Sequence, residues 1–187
     1  MAKSAVSTSA EHLLIKRAQD GDRGAFGELV RQHRAGVVNV VYRMSGDAAL
    51  AEDAAQECFI RAWENLHRYR PRSAFRNWLY RIATNCALSE LRRTRPVVDA
   101  DGLQLRDSRQ SPEARVEERE RASLVQGAVL ALPDASRSAL VLREYEGLSY
   151  RDIAETLEIP LGTVMSRLNY ARRHLRSALA DYMEAVP

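Results

Sequence analysis

Apolar residues recur along this chain at intervals of three, four and seven, the spacing of one helical face. Phe26, Leu29, Val30, Val37, Val40, Val41 and Met44 mark a long helix that Gly46 stops. The Val37-Val38 and Val40-Val41 pairs have strand character, but the helical period around them overrides it. Asp47 is placed to cap a second helix with Leu50, Ala51, Ala54, Ala55, Cys58, Phe59, Ala62, Trp63 and Leu66 on its apolar side. Arg70-Pro71-Arg72 breaks the pattern as a loop. Ser73 then caps a third helix carrying Phe75, Trp78, Leu79, Ile82, Ala83, Cys86 and Leu91, which ends at Pro96.

From residue 97 to 114 the periodicity fails: the stretch is polar, acidic and punctuated by Gly102 and Pro112, as a linker would be. Regular structure resumes near Arg115. One helix runs to Leu132 before Pro133, and another with Ala139, Leu140, Val141 and Tyr145 stops at Gly147. Ser149 and Asp152 form a capping box for a helix with Ile153, Ala154 and Leu157. Glu158-Ile159-Pro160 turns into a last helix with Val164, Leu168, Ala171, Leu175 and Leu179 on one face. The expected fold is all-α: two small helical domains, 1–96 and 115–187, joined by a flexible linker over 97–114.

Composition narrows the function classes. At 187 residues and 45% hydrophobic content the chain is globular, and its net charge of +3 is too small to name a partner. Cys58 and Cys86 form no CxxC pair, which argues against a disulfide scaffold; both lie on apolar faces and read as core thiols. Neither a signal-peptide core nor an apolar run long enough for a membrane span occurs, so a cytoplasmic protein without membrane insertion is expected. No Gly-rich phosphate loop, HExxH or GxSxG is present, and His12, His33, His67 and His174 show no metal spacing. Catalysis, a metal and a cofactor are therefore not expected.

Charge is partitioned along the chain, and three constellations follow. The short helix, tight turn and longer helix from Leu148 to Arg176 form a helix-turn-helix layout. Between Pro160 and Ser177 lie four arginines and no acid. Thr163, Met165, Ser166, Arg167, Asn169, Tyr170 and Arg173 remain on the exposed sides, where hydroxyl, amide and guanidinium groups suit phosphates and base edges. A helical hairpin with a solvated basic face has the same pattern.

The second constellation, Arg68 to Arg95, has eight arginines against one acid, Glu90, with Tyr69, Phe75, Trp78 and Tyr80 interleaved. Basic groups among aromatics suit single-stranded DNA, whose bases stack on ring faces. Trp78 falls on the apolar face with Leu79 and Ile82 and reads as core, Phe75 fits either role, and Tyr69 is in the loop, placed to meet an extruded base. The third, Asp47 to Glu64, is opposite in sign: five acids against Arg61 alone. Such a helix is repelled by DNA; it pairs with its basic neighbour or docks a protein.

Together these segments resemble the extracytoplasmic-function class of bacterial sigma factors, over nearly the whole chain. AEDAAQECFIRAWENLHRY is similar to that family's polymerase-binding helix, SAFRNWLYRIATNCALSELRR to the helix engaging the −10 element, and LVLREYEGLSYRDIAETLEIPLGTVMSRLNYARRHLR to the domain reading the −35 element. The resemblance implies that Asp53, Gln56, Glu57, Phe59, Ile60 and Trp63 dock on the clamp helices of the largest polymerase subunit, with Phe59 and Trp63 open to a core role instead. It implies that the flap of the second-largest subunit is a further partner. It assigns Tyr69, Arg70, Arg72, Ser73, Ala74, Arg76 and Asn85 to the −10 strand. Thr163, Met165, Ser166, Arg167, Asn169, Tyr170 and Arg173 fall to the −35 duplex. Met165 and Tyr170 stand where many relatives carry Lys or Arg, so a known −35 sequence does not transfer. The middle domain of larger housekeeping relatives has no counterpart here.

The linker of such relatives threads toward the RNA exit path, and an anti-sigma factor commonly holds them inactive; both are implied for this chain. From the residues alone, a helix-turn-helix regulator acting without polymerase, or an interaction module with solvated basic helices, competes with this reading. The first leaves the arginine-aromatic segment unexplained, and the second predicts no salt-dependent DNA binding.

Overall fold

The computed structural model describes residues 2–71, 73–94 and 112–180, with side chains from 10–71, 73–93 and 121–180. The expected linker falls almost wholly outside them. Among the described residues there is no strand. Eight α-helices follow one another in the described residues: α1 (Ala2–Gln19), α2 (Arg23–Ser45), α3 (Ala48–Asn65), α4 (Phe75–Thr94), α5 (Pro112–Leu130), α6 (Asp134–Leu140), α7 (Tyr150–Leu157) and α8 (Leu161–Ala178). They form two helical domains, α1–α4 and α5–α8.

Local chemistry sets most helix ends. Asp22 caps α2 by accepting the Ala25 N–H, and its carboxyl is held below the usual range by that bond and by Arg17. Gly46 closes α2 at φ +78°, a left-handed conformation that a side chain would strain. Asp47 accepts from the N–H groups of Ala49 and Leu50 to start α3. Such a cap contributes about 1 kcal/mol.

Two expectations are corrected, and one helix is added: α1, with little apolar contrast, is packed against the core by Leu14, Ile15 and Ala18. α4 takes its first bonds on the Ala74 carbonyl, so Ser73 lies one residue outside the capping position. α5 begins at Pro112, earlier than Arg115, because proline fits the first helical turn where no N–H partner is needed.

In the first domain α2, α3 and α4 pack as a bundle around Val37, Val40, Val41, Met44, Cys58, Ala62, Leu79 and Ala83, all fully buried. Gly36 lets α4 come close: a Cβ there would collide with the Tyr80 hydroxyl. Burial pushes both thiols upward, Cys58 far above the ordinary range and further through the nearby Cys86. Both cysteines are therefore expected to ignore a thiol reagent at neutral pH and to react fully once the chain unfolds in denaturant. Rapid labelling of the folded chain would contradict this packing.

The second domain closes over Leu132, Leu140, Val141, Leu142, Leu148, Ile153, Val164 and Leu168. After α6 the chain widens into a π-helical turn over Val141–Tyr145 before Gly147, at φ +68°, reverses it. Arg137, 5% exposed, donates to the carbonyls of Leu130 and Leu132 at the end of α5 (2.5 and 2.9 Å) and of Met44 at the end of α2 (2.6 Å). One guanidinium thus satisfies carbonyls of both domains that helix geometry leaves open.

Candidate nucleic-acid and polymerase interface

α7, the turn at Glu158 and α8 make the helix-turn-helix. The Ser149 hydroxyl accepts the Asp152 N–H (3.1 Å) and the Asp152 carboxylate accepts the Ser149 N–H (3.3 Å), so both halves of the capping box form. Glu158 turns the chain in the left-handed region, at φ +53°. Ile153, Val164, Leu168 and Ala171 are fully buried and fix the angle of α8. Met165, Ser166, Asn169, Tyr170 and Arg173 are exposed, and Thr163 and Arg167 half-buried. Met165 and Tyr170, 46% and 45% exposed, are large apolar groups open to solvent on a polar helix face. The seven positions assigned to the −35 duplex share the outward side of one helix.

The second surface is a cleft of about 710 Å³ between the end of α3, the loop after it and α4. Of the residues assigned to the −10 strand it brings together Tyr69, Arg70, Ser73 and Asn85. Ala74 and Arg76 are exposed outside it, and Arg72 lies outside the described residues. Arg61, Asn65, Arg68, Trp78, Arg81 and Ile82 also line it and were not singled out as binding residues. The signal existed: Trp78, Ile82 and Asn85 recur at four and three residues, one stripe of α4.

Tyr69 and Trp78 exchange the roles the sequence suggested. Tyr69 is only 4% exposed; its hydroxyl donates to the Ser73 carbonyl at 2.8 Å, and burial pushes its ionisation upward. Its ring packs edge-on to Phe75, with centroids 5.2 Å apart, and 5.3 Å from Trp78. Phe75 is core, 1% exposed. Trp78 is half-buried and offers its ring to the cleft. The loop folds back on itself and takes Tyr69 inward, which local spacing could not reveal.

Two polar side chains hold that loop. The Gln19 amide donates to the carbonyls of Leu66 (2.9 Å) and Tyr69 (3.1 Å), tying α1 to the rim of the cleft. The Arg70 guanidinium donates to the His67 carbonyl (2.8 Å) and the Tyr69 carbonyl (3.1 Å). Four arginines around an aromatic face make the cleft a basic cradle for a flat, electron-rich ring attached to phosphate.

On α3, Asp53, Gln56, Glu57 and Ile60 are exposed together, while Phe59 is buried and Trp63 packs against Phe26 with the rings tilted and their centroids 5.0 Å apart. Ile60 is 54% exposed, an apolar centre with acids beside it. Glu52 pairs with Arg34 of α2 (2.5 Å) and Glu57 with Arg61 of α3 (2.7 Å). The outer face of this helix remains available to a partner. Among the described residues no three His, Cys, Asp or Glu gather to hold a metal, and no helix is long and apolar enough to cross a membrane.

Comparison with known proteins matches residues 29–97 to the family described as Sigma-70 region 2 and residues 123–175 to Sigma-70 region 4. The RNA polymerase sigma-H factor of Pseudomonas aeruginosa is 40% identical over 178 residues, covering 89% of this chain and 92% of that protein. The ECF RNA polymerase sigma factor SigW of Bacillus subtilis is 36% identical over 178 residues, covering 89% of this chain and 95% of the relative. Among solved structures, CnrH in complex with the cytosolic domain of CnrY is similar at a TM-score of 0.68 with 29% identity, covering 92% of this chain and 98% of that one.

Proposed function

The chain belongs to the sigma-70 family, with the extracytoplasmic-function sigma factors, and from that premise we propose how its surfaces divide the work of transcription initiation. The chain is an RNA polymerase sigma factor that directs the enzyme to promoters. Residues 1–96 act as the region 2 domain and 115–187 as the region 4 domain. α8 reads the −35 element as duplex, through Thr163, Met165, Ser166, Arg167, Asn169, Tyr170 and Arg173. The α4 cleft receives unpaired −10 bases, with Asn85, Ser73 and Arg70 beside the ring of Trp78. Binding energy released there offsets the cost of separating the strands. The exposed face of α3 around Asp53, Gln56, Glu57 and Ile60 docks on the clamp helices of the largest polymerase subunit, and the region 4 domain meets the flap of the second-largest.

The observation that carries this reading is the pairing, in one chain, of a duplex-reading helix-turn-helix with a separate basic-aromatic cleft suited to single strands. A regulator that binds duplex alone has no use for the cleft. The chain supplies positioning and recognition while the polymerase supplies catalysis, so its place is in the cytoplasm with that enzyme. The sigma factor RpoE of Bartonella quintana, which shares this fold, is solved in complex with the anti-sigma factor NepR, and this supports an anti-sigma factor as a further partner here.

Run-off transcription with core RNA polymerase on fragmented bacterial genomic DNA tests the whole reading. Discrete new starts sharing two upstream elements are expected only when this chain is added; their absence, with duplex binding retained, would leave a regulator that acts without polymerase. Arg173→Ala tests the region 4 surface. As a phosphate contact it should weaken binding across sequences and lower the slope of log affinity against log salt by about 0.9. An unchanged slope would remove Arg173 from the interface.

A further inference from the structure

The loop that walls the α4 cleft contains a single 3-10 turn, Leu66–Arg68, and Tyr69, Arg70 and Ser73 follow it into the cleft wall. A turn this short leaves carbonyls open. Those of Leu66 and Tyr69 both accept from the Gln19 side chain, at 2.9 and 3.1 Å. Both bonds leave one nitrogen, Nε2, so each hydrogen of the primary amide is directed at the loop.

Gln19 is itself held in place. It ends α1, next to Ala18 and four residues after Ile15, both buried. The Arg17 guanidinium binds one oxygen of Asp22 through Nε and Nη2 (3.0 and 2.6 Å), while the other oxygen caps α2. Two turns earlier, Glu11 meets the His33 ring at 2.8 Å, and that ring stands edge-on to Phe75 with centroids 5.5 Å apart. α1 therefore supports the cluster of Tyr69, Phe75 and Trp78 from behind. Gln19 precedes residue 29, where the match to Sigma-70 region 2 begins, so the family description does not reach it.

We propose that Gln19 is a positioning residue for single-strand recognition, whose two amide bonds preform the rim of the cleft, a role that rests on the assignment of that cleft to the −10 strand. The relay is short. Gln19 fixes the Tyr69 carbonyl, the Tyr69 hydroxyl fixes the Ser73 carbonyl at 2.8 Å, and the Tyr69 ring lies 5.3 Å from that of Trp78. Trp78 and Asn85 sit on a helix, whereas Arg70 and Ser73 take their places only through the loop. The Arg70 guanidinium shares the Tyr69 carbonyl (3.1 Å), so without Gln19 it holds a loose segment. A loop ordered in advance spares the complex the ordering cost that a loose one meets on binding. Held geometry is also what lets polar groups discriminate between bases.

The test compares two full-length variants in complex with core polymerase. Gln19→Met keeps the length of the side chain and removes both donors; Gln19→Lys restores donors on a stem one atom longer. Three quantities are read: hydrogen exchange over residues 66–70, affinity for a single strand carrying the −10 element against a scrambled strand, and affinity for −35 duplex. Gln19→Met should keep its helical circular dichroism and its −35 affinity while exchanging faster at the loop. It should lose about tenfold in the ratio of −10 to scrambled affinity, within the range of two neutral hydrogen bonds. Gln19→Lys should recover most of that ratio, since its added charge acts on both strands alike and cancels. A loop that exchanges no faster in Gln19→Met, or a loosened loop with an unchanged ratio, would overturn the proposal. So would a fall in −35 affinity in step with −10, which would leave Gln19 a stabiliser of the fold alone. A wild type that does not distinguish the two strands, with the loop still loosened in Gln19→Met, would sink the −10 assignment while upholding Gln19 as the brace of the cleft rim.

Discussion

Leu168→Ala is expected to unfold the region 4 domain at temperatures where the wild type is intact. Leu168 is fully buried with Ile153, Val164 and Ala171, where it fixes α8 to α7. Removing a buried leucine side chain costs about 2–5 kcal/mol, a large part of the stability of a small domain. Because α8 owes its orientation to this packing, binding to −35 duplex should fall with the fraction folded. The cysteines report on region 2 independently: Cys58 and Cys86 are buried between α3 and α4. Thermal unfolding followed by circular dichroism, with thiol labelling alongside, should give an early transition that leaves the thiols protected. A single transition exposing both thiols at once would mean that the two domains unfold as one unit.

Trp78→Ala is expected to lower the affinity of the polymerase–sigma complex for single-stranded −10 oligonucleotides by about fivefold to a hundredfold, the equivalent of one stacked base at about 1–3 kcal/mol. The ring also packs on Tyr69 and Phe75, with centroids at 5.3 and 5.5 Å, so truncation loosens the rim as well. Trp78→Phe separates the two effects, since it keeps an aromatic face and most of the packing. It should retain most single-strand binding, whereas affinity for −35 duplex should be unchanged in both variants. Folded Trp78→Ala binding the oligonucleotide as tightly as wild type would exclude the ring from the site.

Much of this protein was legible in its sequence. Helical periodicity, Gly46, Asp47 and the Ser149–Asp152 box are short-range signals, and each acts through the bonds of its own turn, so α2, α3, α7 and the start of α8 follow from local chemistry alone. The all-α class and the helix-turn-helix were therefore available before any packing was seen. The outward side of α8 was equally readable: once Val164, Leu168 and Ala171 take the core, their intervening neighbours are forced outward.

Contacts distant along the chain were not available in this way. α1 carries a weak apolar pattern and is fixed by packing and by the reach of Gln19 to the Leu66 and Tyr69 carbonyls, some fifty residues away. The exchange between Tyr69 and Trp78 has the same origin: an aromatic in a loop is exposed unless the loop folds inward, and the hydroxyl bond to Ser73 with the rings of Phe75 and Trp78 draws it in. Sequence alone determined which segments are helical and which faces carry charge, because those depend on neighbours one or two turns apart. Only the tertiary structure decided which aromatic faces the cleft and how Glu146 meets Asn39 and Tyr80, because those bonds join residues whose proximity the packing of whole helices creates.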